Sequence, residues 1–348
     1  MILLALGATI VGALVALGVV WATGALDQNS GSTRVVQEAK PNTIGANNLD
    51  VVAIADKVRP AIVNVQVTSG FGQGSGSGVI YDSSGLIMTN NHVVEGSADI
   101  GVELTDGRKL DAQLLGGDAE TDIAVLRVDA SDLPTATLAT ATTLEIGEPT
   151  VAIGNPLGLQ GGPTVTVGYI SALGRTLQVG GNSGSLVDMI QTDAPIAEGS
   201  SGGALLNGSG GVIGITTAIA VSQAGAGDIG FATPIDIAIQ VADQLATVGK
   251  ATHPFMGVRG VDADAAEVAG SGEAQGAMIV EVEPGTPAAQ AGLQPDDIVT
   301  AVDGKPITSM SGLVVALRSH KAGETVELTV ERGGKEETVK ITLGEKPS

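Results

Sequence analysis

The hydrophobic pattern changes character three times along the chain. From Met1 to Leu26 it has no period: MILLALGATIVGALVALGVVWATGAL is apolar throughout and carries no charge. That length suits a helix of about 20 residues across a bilayer. Trp21 sits near its end, where aromatic side chains favour the membrane interface. An uncleaved transmembrane anchor over residues 1–26 is the expectation. A signal peptide cut near Ala22-Thr23-Gly24 is the alternative, although the apolar core is long for one. A buried soluble helix would rarely be apolar on every face. Residues 27–48 are polar and aperiodic and read as a flexible linker.

After a short helical stretch over Leu49 to Val58, the period becomes two. Ala61 to Thr68 alternates apolar and polar positions, as a half-buried strand does. Val79–Tyr81 and Leu86–Met88 flank the turn Asp82-Ser-Ser-Gly85. Ile100, Val102 and Leu104 alternate before Asp106-Gly107, and Leu110, Ala112 and Leu114 after it, which gives another hairpin. Further strands are expected at Ile123–Val128, Val151–Ile153, Val165–Ile170, Val212–Thr217 and Ile229–Ala232. Many short strands with glycine-rich turns predict an antiparallel barrel or sandwich. The period then changes to that of a helix. Thr233 is placed to cap it, with Pro234 at its first position, Asp236 in its first turn and Gly249 at its end. Ile235, Ile239, Ala242 and Leu245 form one apolar face. Lys250 to Pro254 reads as a hinge. Phe255 to Gly344 has its own strands and a helix over Ser309 to Ser319, enough for a small second domain.

Composition narrows the chemistry. The chain has 348 residues, of which 51 are glycine and only 2% aromatic. There are 38 acidic residues against 17 basic ones, a formal net charge of −21. Such a chain repels polyanions, so no nucleic-acid partner is expected. The absence of cysteine excludes thiol catalysis, thiolate metal sites and disulfides. Neither a metal-ligand cluster nor a phosphate-binding loop is visible, so no metal and no cofactor is expected.

Nucleophilic catalysis without cysteine needs a Ser or Thr, a base, an acid to orient the base, and donors for an oxyanion. Only three histidines occur. His320 lies in polar surroundings in the small domain, and His253 in the hinge. His92, in Thr89-Asn-Asn-His-Val-Val94, follows an apolar strand. Asp122 stands at the mouth of the strand Ile123–Val128; it is either the carboxylate partner of a histidine or a strand-capping surface residue. Gly199-Ser200-Ser201-Gly202-Gly203 precedes the apolar run Ala204-Leu-Leu206. Its glycines let the backbone turn sharply and aim two N–H groups at one point.

The order His, Asp, Ser in TNNHVV, DIAVL and GSSGG resembles the chymotrypsin-fold serine proteases, and more narrowly the HtrA (DegP/DegS-like) family. Ile153–Gly158 (IGNPLG), Ser171–Arg175 (SALGR) and Gln191–Ile196 (QTDAPI) resemble that family's recurrent phrases. The resemblance covers Leu49 to the C-terminus. It implies a mostly β fold: a chymotrypsin-like double β-barrel over residues 49–249, then a small α+β PDZ domain over 250–348. It makes His92 the general base, Asp122 its orienting carboxylate and Ser201 the nucleophile. The backbone N–H groups of Gly199 and Ser201 become the oxyanion hole. The chain departs from the family pattern at Ser200, where Asn is usual, and at Glu198, where Pro is common. Pro195, Ile196, Ala197 and the strand near Ile215–Thr217 would border the pocket for the residue before the cut. None is acidic, so small or medium aliphatic residues are expected there rather than Lys or Arg.

Phe255-Met-Gly-Val258 resembles the carboxylate-binding loop of PDZ domains, and Pro287–Leu293, Asp297–Val299 and Val302–Gly304 resemble other PDZ phrases. Backbone N–H groups of Met256, Gly257 and Val258 could hold a peptide's terminal carboxylate, with the peptide added as a strand beside Val258. Thr176 to Val187 is polar and glycine-rich. It is either a surface loop or, by resemblance, a regulatory loop sensing PDZ occupancy. The whole implies a membrane-anchored, extracytoplasmic, ATP-independent serine endopeptidase that cleaves unfolded or damaged proteins in quality control and stress response, assembled as a homotrimer. Two other classes remain open: a peptide-binding or chaperone-like protein with an inactive triad, and an envelope scaffold whose barrel is structural.

Overall fold

In the computed structural model the described residues are 49–70, 72–155, 162–178, 185–217, 229–263 and 275–346. The expected anchor and linker lie outside them. Among the described residues no helix is long and apolar enough to cross a membrane.

Helix α1 (Val51–Val58) opens the described chain, capped by the Asp50 carboxylate, which accepts from Ala53 N at 3.0 Å. Six strands follow: β1 (Ile62–Ser69), β2 (Gly72–Asp82), β3 (Leu86–Thr89), β4 (Asp99–Glu103), β5 (Lys109–Asp118) and β6 (Ile123–Val128). They close into a barrel in the order β1-β2-β3-β6-β5-β4. The half-buried alternation expected over Ala61–Thr68 holds only from Val65 on; Ile62 to Val65, Asn64 included, are all buried, because the closed barrel packs this end of β1 on both faces. Val63, Val65, Ile80, Ile87 and Leu126 are fully buried in this core. Helix α2 (Asn91–Val94) is a single turn inserted after β3.

A second closed barrel has the order β10-β11-β12-β9-β8-β7. Its strands are β7 (Pro149–Gly154), β8 (Thr164–Gln178), β9 (Ser185–Thr192), β10 (Ala204–Leu206), β11 (Val212–Thr217) and β12 (Gly230–Pro234). Here β8 runs well beyond the expected end at Ile170. The stretch read as a loop from Thr176 to Val187 is a hairpin at both ends: Leu177 pairs with Leu186, and Gln178 with Ser185. Leu177 and Leu186 are buried with Met189 and Phe231, and this apolar pair extends the ladder despite the polar composition. Residues 179–184 lie outside the described chain.

Helix α3 (Ile235–Val248) follows, buries Ile235, Ala238, Val241, Ala242 and Leu245, and ends at Gly249 in the left-handed region at φ 79°. Its start differs from the expectation. Pro234 is the N-cap residue, and Thr233 does not cap the helix. Thr233 still belongs to β12 and is buried, so its hydroxyl serves the core: Oγ1 donates to Thr121 O in the first barrel at 3.1 Å.

The C-terminal part is a sheet ordered β14-β15-β16-β18-β19, with β17 paired to β16. These strands are β14 (Val258–Asp262), β15 (Ala277–Val282), β16 (Ile298–Val302), β17 (Lys305–Pro306), β18 (Thr325–Arg332) and β19 (Lys335–Thr342). Two short strands, β13 (Pro254–Phe255) and β20 (Gly344–Glu345), pair with each other. Helices α4 (Pro287–Ala291) and α5 (Met310–Arg318) cover the sheet; Ser309 Oγ caps α5 by accepting from Gly312 N at 2.9 Å. Strand β14 is an edge strand, which leaves one side of its ladder open for pairing.

Candidate active site

Asp122 ends the turn between β5 and β6 with φ at 57°, a conformation that Asp tolerates better than most residues. The surroundings fix it. Asp118 Oδ2 accepts from Thr121 N at 3.0 Å and also from Thr121 Oγ1. The Thr233 hydroxyl holds Thr121 O. Asn91 N and Asn90 Nδ2 donate to Asp122 O at 3.1 and 2.9 Å. The buried carboxylate then receives two bonds from one residue: His92 N donates to Oδ1 at 2.9 Å, and His92 Nδ1 lies 2.7 Å from Oδ2. With Nδ1–H donating to the ionised carboxylate, Nε2 carries the lone pair. His92 is held on its own single-turn helix, and its side chain remains 44% exposed.

The 197–203 loop comes from the second barrel. Ser200 N donates to Ala197 O at 2.9 Å, and Gly199 has φ 84°. This is the signature of a type II turn with glycine at its third position. Each peptide after it is pinned through its carbonyl. Ser77 Oγ donates to Gly199 O at 2.8 Å. Thr216 Oγ1 donates to Ser200 O at 2.7 Å, and Gly203 N to the same oxygen at 3.0 Å. A trans peptide directs its N–H opposite its C=O, so these bonds orient the N–H of Ser201. Ser201 O accepts from Ser77 N at 2.7 Å. Gly202, at φ 87°, admits no Cβ: one there would run into Ser77 O and Thr89 Oγ1. Ser201 is 5% exposed.

His92, Gly199 and Ser201 line one cavity of about 480 Å3 between the two barrels. Near it, Thr216 and Thr217 of β11 are buried, and Thr217 Oγ1 accepts from Asn90 Nδ2 at 3.1 Å. Ile196 packs with the second-barrel core and toward Gly230. A smaller cavity of about 200 Å3 lies between β14 and α5. Phe255, Met256, Gly257 and Val258 line one wall, and Met310, Leu313, Val314 and Leu317 the other.

The hinge is held by bonds to the first barrel. His253 Nε2 lies 2.8 Å from Asp118 Oδ1, both largely buried. Beside it, Glu120 Oε2 accepts from Lys346 Nζ at 2.6 Å, and Glu120 Oε1 lies 3.3 Å from Arg318 Nη2. Burial raises the Asp118 carboxyl, but the hydrogen bond and charge of His253 and the bonds from Thr121 outweigh it and hold the group below its ordinary value. Glu120 is likewise depressed: burial raises it, and Lys346, His253 and Arg318 more than compensate. Burial pushes Asp188 up, against the nearby charge of Arg318.

Of the residues singled out from the sequence, the fold brings His92, Asp122, Gly199 and Ser201 together, and lines a separate groove with 255–258. His253 joins the hinge cluster, and His320 pairs with Asp303 and Glu324, at 3.4 Å each. Sequence reasoning missed the hydrogen-bonding roles of Ser77, Asn90, Thr216 and Thr233, which orient the site. Asn90 stood inside the TNNH phrase, Thr216 in the strand expected to border the pocket and Thr233 at the expected helix cap; Ser77 sits in a strand with nothing to set it apart.

Residues 76–215 match the family model of the trypsin-like peptidase domain, and residues 254–343 that of the PDZ domain. Over 274 residues the chain is 44% identical to a protein of Halomonas elongata named probable periplasmic serine endoprotease DegP-like; the match covers 78% of this chain and 56% of that protein, so the chain spans little more than half of that relative's length. The serine protease PepD of Mycobacterium tuberculosis is 39% identical over 333 residues, 89% of this chain and 70% of its own. The solved structure of the HtrA-type protease AlgW with a tripeptide is 36% identical, with a TM-score of 0.73, and covers 86% of this chain and 98% of that one.

Proposed function

This chain belongs to the HtrA-type family of serine proteases, and from that membership we propose that it is an active serine endopeptidase with Ser201, His92 and Asp122 as its triad. The observation that carries the reading is the 2.7 Å pair of His92 and buried Asp122 opening onto the cavity that Ser201 and Gly199 line. Ser201 Oγ attacks the carbonyl carbon of the scissile bond while its proton passes to His92 Nε2. The N–H groups of Gly199 and Ser201 receive the oxyanion; loss of one such donor raises the reaction barrier by about 3–4 kcal/mol. As the C–N bond breaks, His92 gives its proton to the leaving amine. A water then loses a proton to His92 and attacks the Ser201 ester. The C–O bond breaks, the proton returns to Ser201 Oγ, and the new carboxyl terminus leaves. Asp122 stays ionised and stabilises the imidazolium.

The residue before the cut is small or aliphatic, since Pro195, Ile196, Ala197 and Ile215–Thr217 supply no carboxylate. The groove between β14 and α5 takes apolar C-terminal peptides: 255–258 offers backbone N–H groups for the carboxylate, and edge strand β14 offers a ladder. Family membership and the apolar Met1–Leu26 segment support an extracytoplasmic, membrane-anchored, ATP-independent trimer acting on unfolded proteins, with the Thr176–Val187 segment coupling PDZ occupancy to the site. A fluorophosphonate probe should label wild-type protein at Ser201. Ser201→Ala should abolish casein cleavage while still binding an apolar C-terminal peptide. Casein cleavage at the wild-type rate by that variant would defeat the assignment.

A further inference from the structure

The cleft at Ser201 opens into a second and larger space. Glu198, Gly199 and the β1–β2 end, including Gln73 and Ser75, line both cavities. The second measures about 660 Å3 and continues over β1, β4 and β5 of the first barrel. Among the described residues of the second barrel only Glu198 and Gly199 border it, and no residue of β11 does. On the protease reading, which this inference rests on, β11 borders the part of the substrate before the cut. The space across Gly199 from β11 therefore receives the residues that follow the scissile bond.

The chemistry of this trough has one sign. Asp99, Asp111 and Glu198 line it, and Glu95 lines the adjoining cleft. Among the described residues neither lining contains a Lys or Arg. The basic residues nearest in sequence are engaged elsewhere, Lys109 with Glu103 at 3.4 Å and Arg108 with Asp106 at 2.7 Å. An independent feature also points to a ligand that donates hydrogen bonds. Asn64 lines the trough and is 1% exposed. Its Nδ2 donates to Asn155 O at 3.1 Å and Gly76 O at 3.4 Å, which fixes the amide orientation. Its Oδ1 is buried and has no hydrogen-bond partner among the described residues. A buried acceptor left unmade is costly, and an ammonium, guanidinium or peptide N–H supplies what it lacks.

We propose that the trough selects substrates with Lys or Arg among the three residues after the scissile bond. Glu198, Asp99 and Asp111 attract the positive side chain, and Asn64 Oδ1 accepts a hydrogen bond from the bound strand. The selectivity is thus opposite on the two sides of the cut: apolar before it, basic after it.

The test starts from a site that the full-length enzyme cuts in denatured casein. Two quenched-fluorescent peptides carry that site with either Lys or Glu at the second and third positions after the cut. Wild-type enzyme should favour the Lys peptide in kcat/KM by about tenfold at low salt, since each exposed charge pair contributes about two- to threefold. The ratio should shrink in 1 M NaCl. In a Glu198→Gln/Asp99→Asn/Asp111→Asn variant it should fall towards one. Equal cleavage of both peptides by the wild type, or an undiminished ratio in the triple variant, overturns the proposal. If the wild type cuts nothing and Ser201 is not labelled by a fluorophosphonate, the protease reading itself fails and takes this inference with it.

Discussion

Ser77→Ala is the sharpest probe of how the 197–203 loop is held. Ser77 is fully buried in β2 of the first barrel, yet its polar groups serve the second. Its Oγ donates to Gly199 O and accepts from Asn155 N, both at 2.8 Å. Its N–H donates to Ser201 O, and its carbonyl accepts from Thr89 Oγ1, each at 2.7 Å. The substitution keeps both backbone bonds and deletes both hydroxyl bonds. Gly199 O and Asn155 N are then buried without those partners. An orphaned buried group costs about 1–3 kcal/mol, so with two of them the variant should lose about 2–6 kcal/mol of stability. The activity follows from the geometry of one peptide. Gly199 O and Ser200 N are its two ends, and the second end remains bonded to Ala197 O. With one anchor gone, an alternative orientation becomes accessible by about 1–2 kcal/mol, which lowers kcat by about 5- to 30-fold with little change in KM. Urea unfolding gives the first number; kcat, KM and the rate of fluorophosphonate labelling give the second. A folded variant that loses the stability but keeps kcat within twofold would refute the claim that Ser77 orients the loop.

The remaining predictions concern a glycine and the hinge. Gly202→Ala demands a left-handed alanine whose Cβ meets the backbone oxygen of Ser77 and the hydroxyl of Thr89; it should abolish labelling of Ser201 even where circular dichroism shows a folded chain, and labelling at the wild-type rate would sink the argument. Asp118 and Glu120 are held below their ordinary values, Asp118 by His253 and Thr121, Glu120 by Lys346, His253 and Arg318, in each case against burial. A depressed carboxylate stabilises the fold fully above its unfolded pKa of about 4 and loses that contribution as pH falls through the folded value. The urea midpoint should therefore drop below about pH 4, and Asp118→Asn should flatten the drop; an identical slope in the variant would assign it to other groups.

The first barrel was legible through its short apolar runs between turn signals; the strict alternation expected for half-buried strands holds only in part, since β1, β2, β3 and β6 each bury continuous runs. The β8–β9 hairpin was not. Its buried Leu177 and Leu186 are two apolar residues in a glycine-rich stretch, too few to show a period, and only their pairing across the ladder makes them core. Thr233 failed for a related reason. Its position before Pro234 reads as a cap, but whether a hydroxyl turns to a helix end or to a neighbouring barrel depends on contacts 112 residues away in sequence. The candidate site divides along the same line. His92, Asp122, Gly199 and Ser201 were visible because the proposed chemistry draws on a short menu of residue types. Ser77, Asn90, Thr216 and Thr233 hold the peptides around them, and a Ser, Thr or Asn in a strand or turn carries no local mark of that work. All four bridge the two barrels or tie the 197–203 loop to β11: Ser77 to Gly199, Asn90 to Thr217, Thr216 to Ser200, Thr233 to Thr121. A cleft built at the seam of two barrels is rigid only if the seam is, and three of these four bonds join residues more than a hundred positions apart. They are also the ones that periodicity, a statement about neighbours, has no means of reporting.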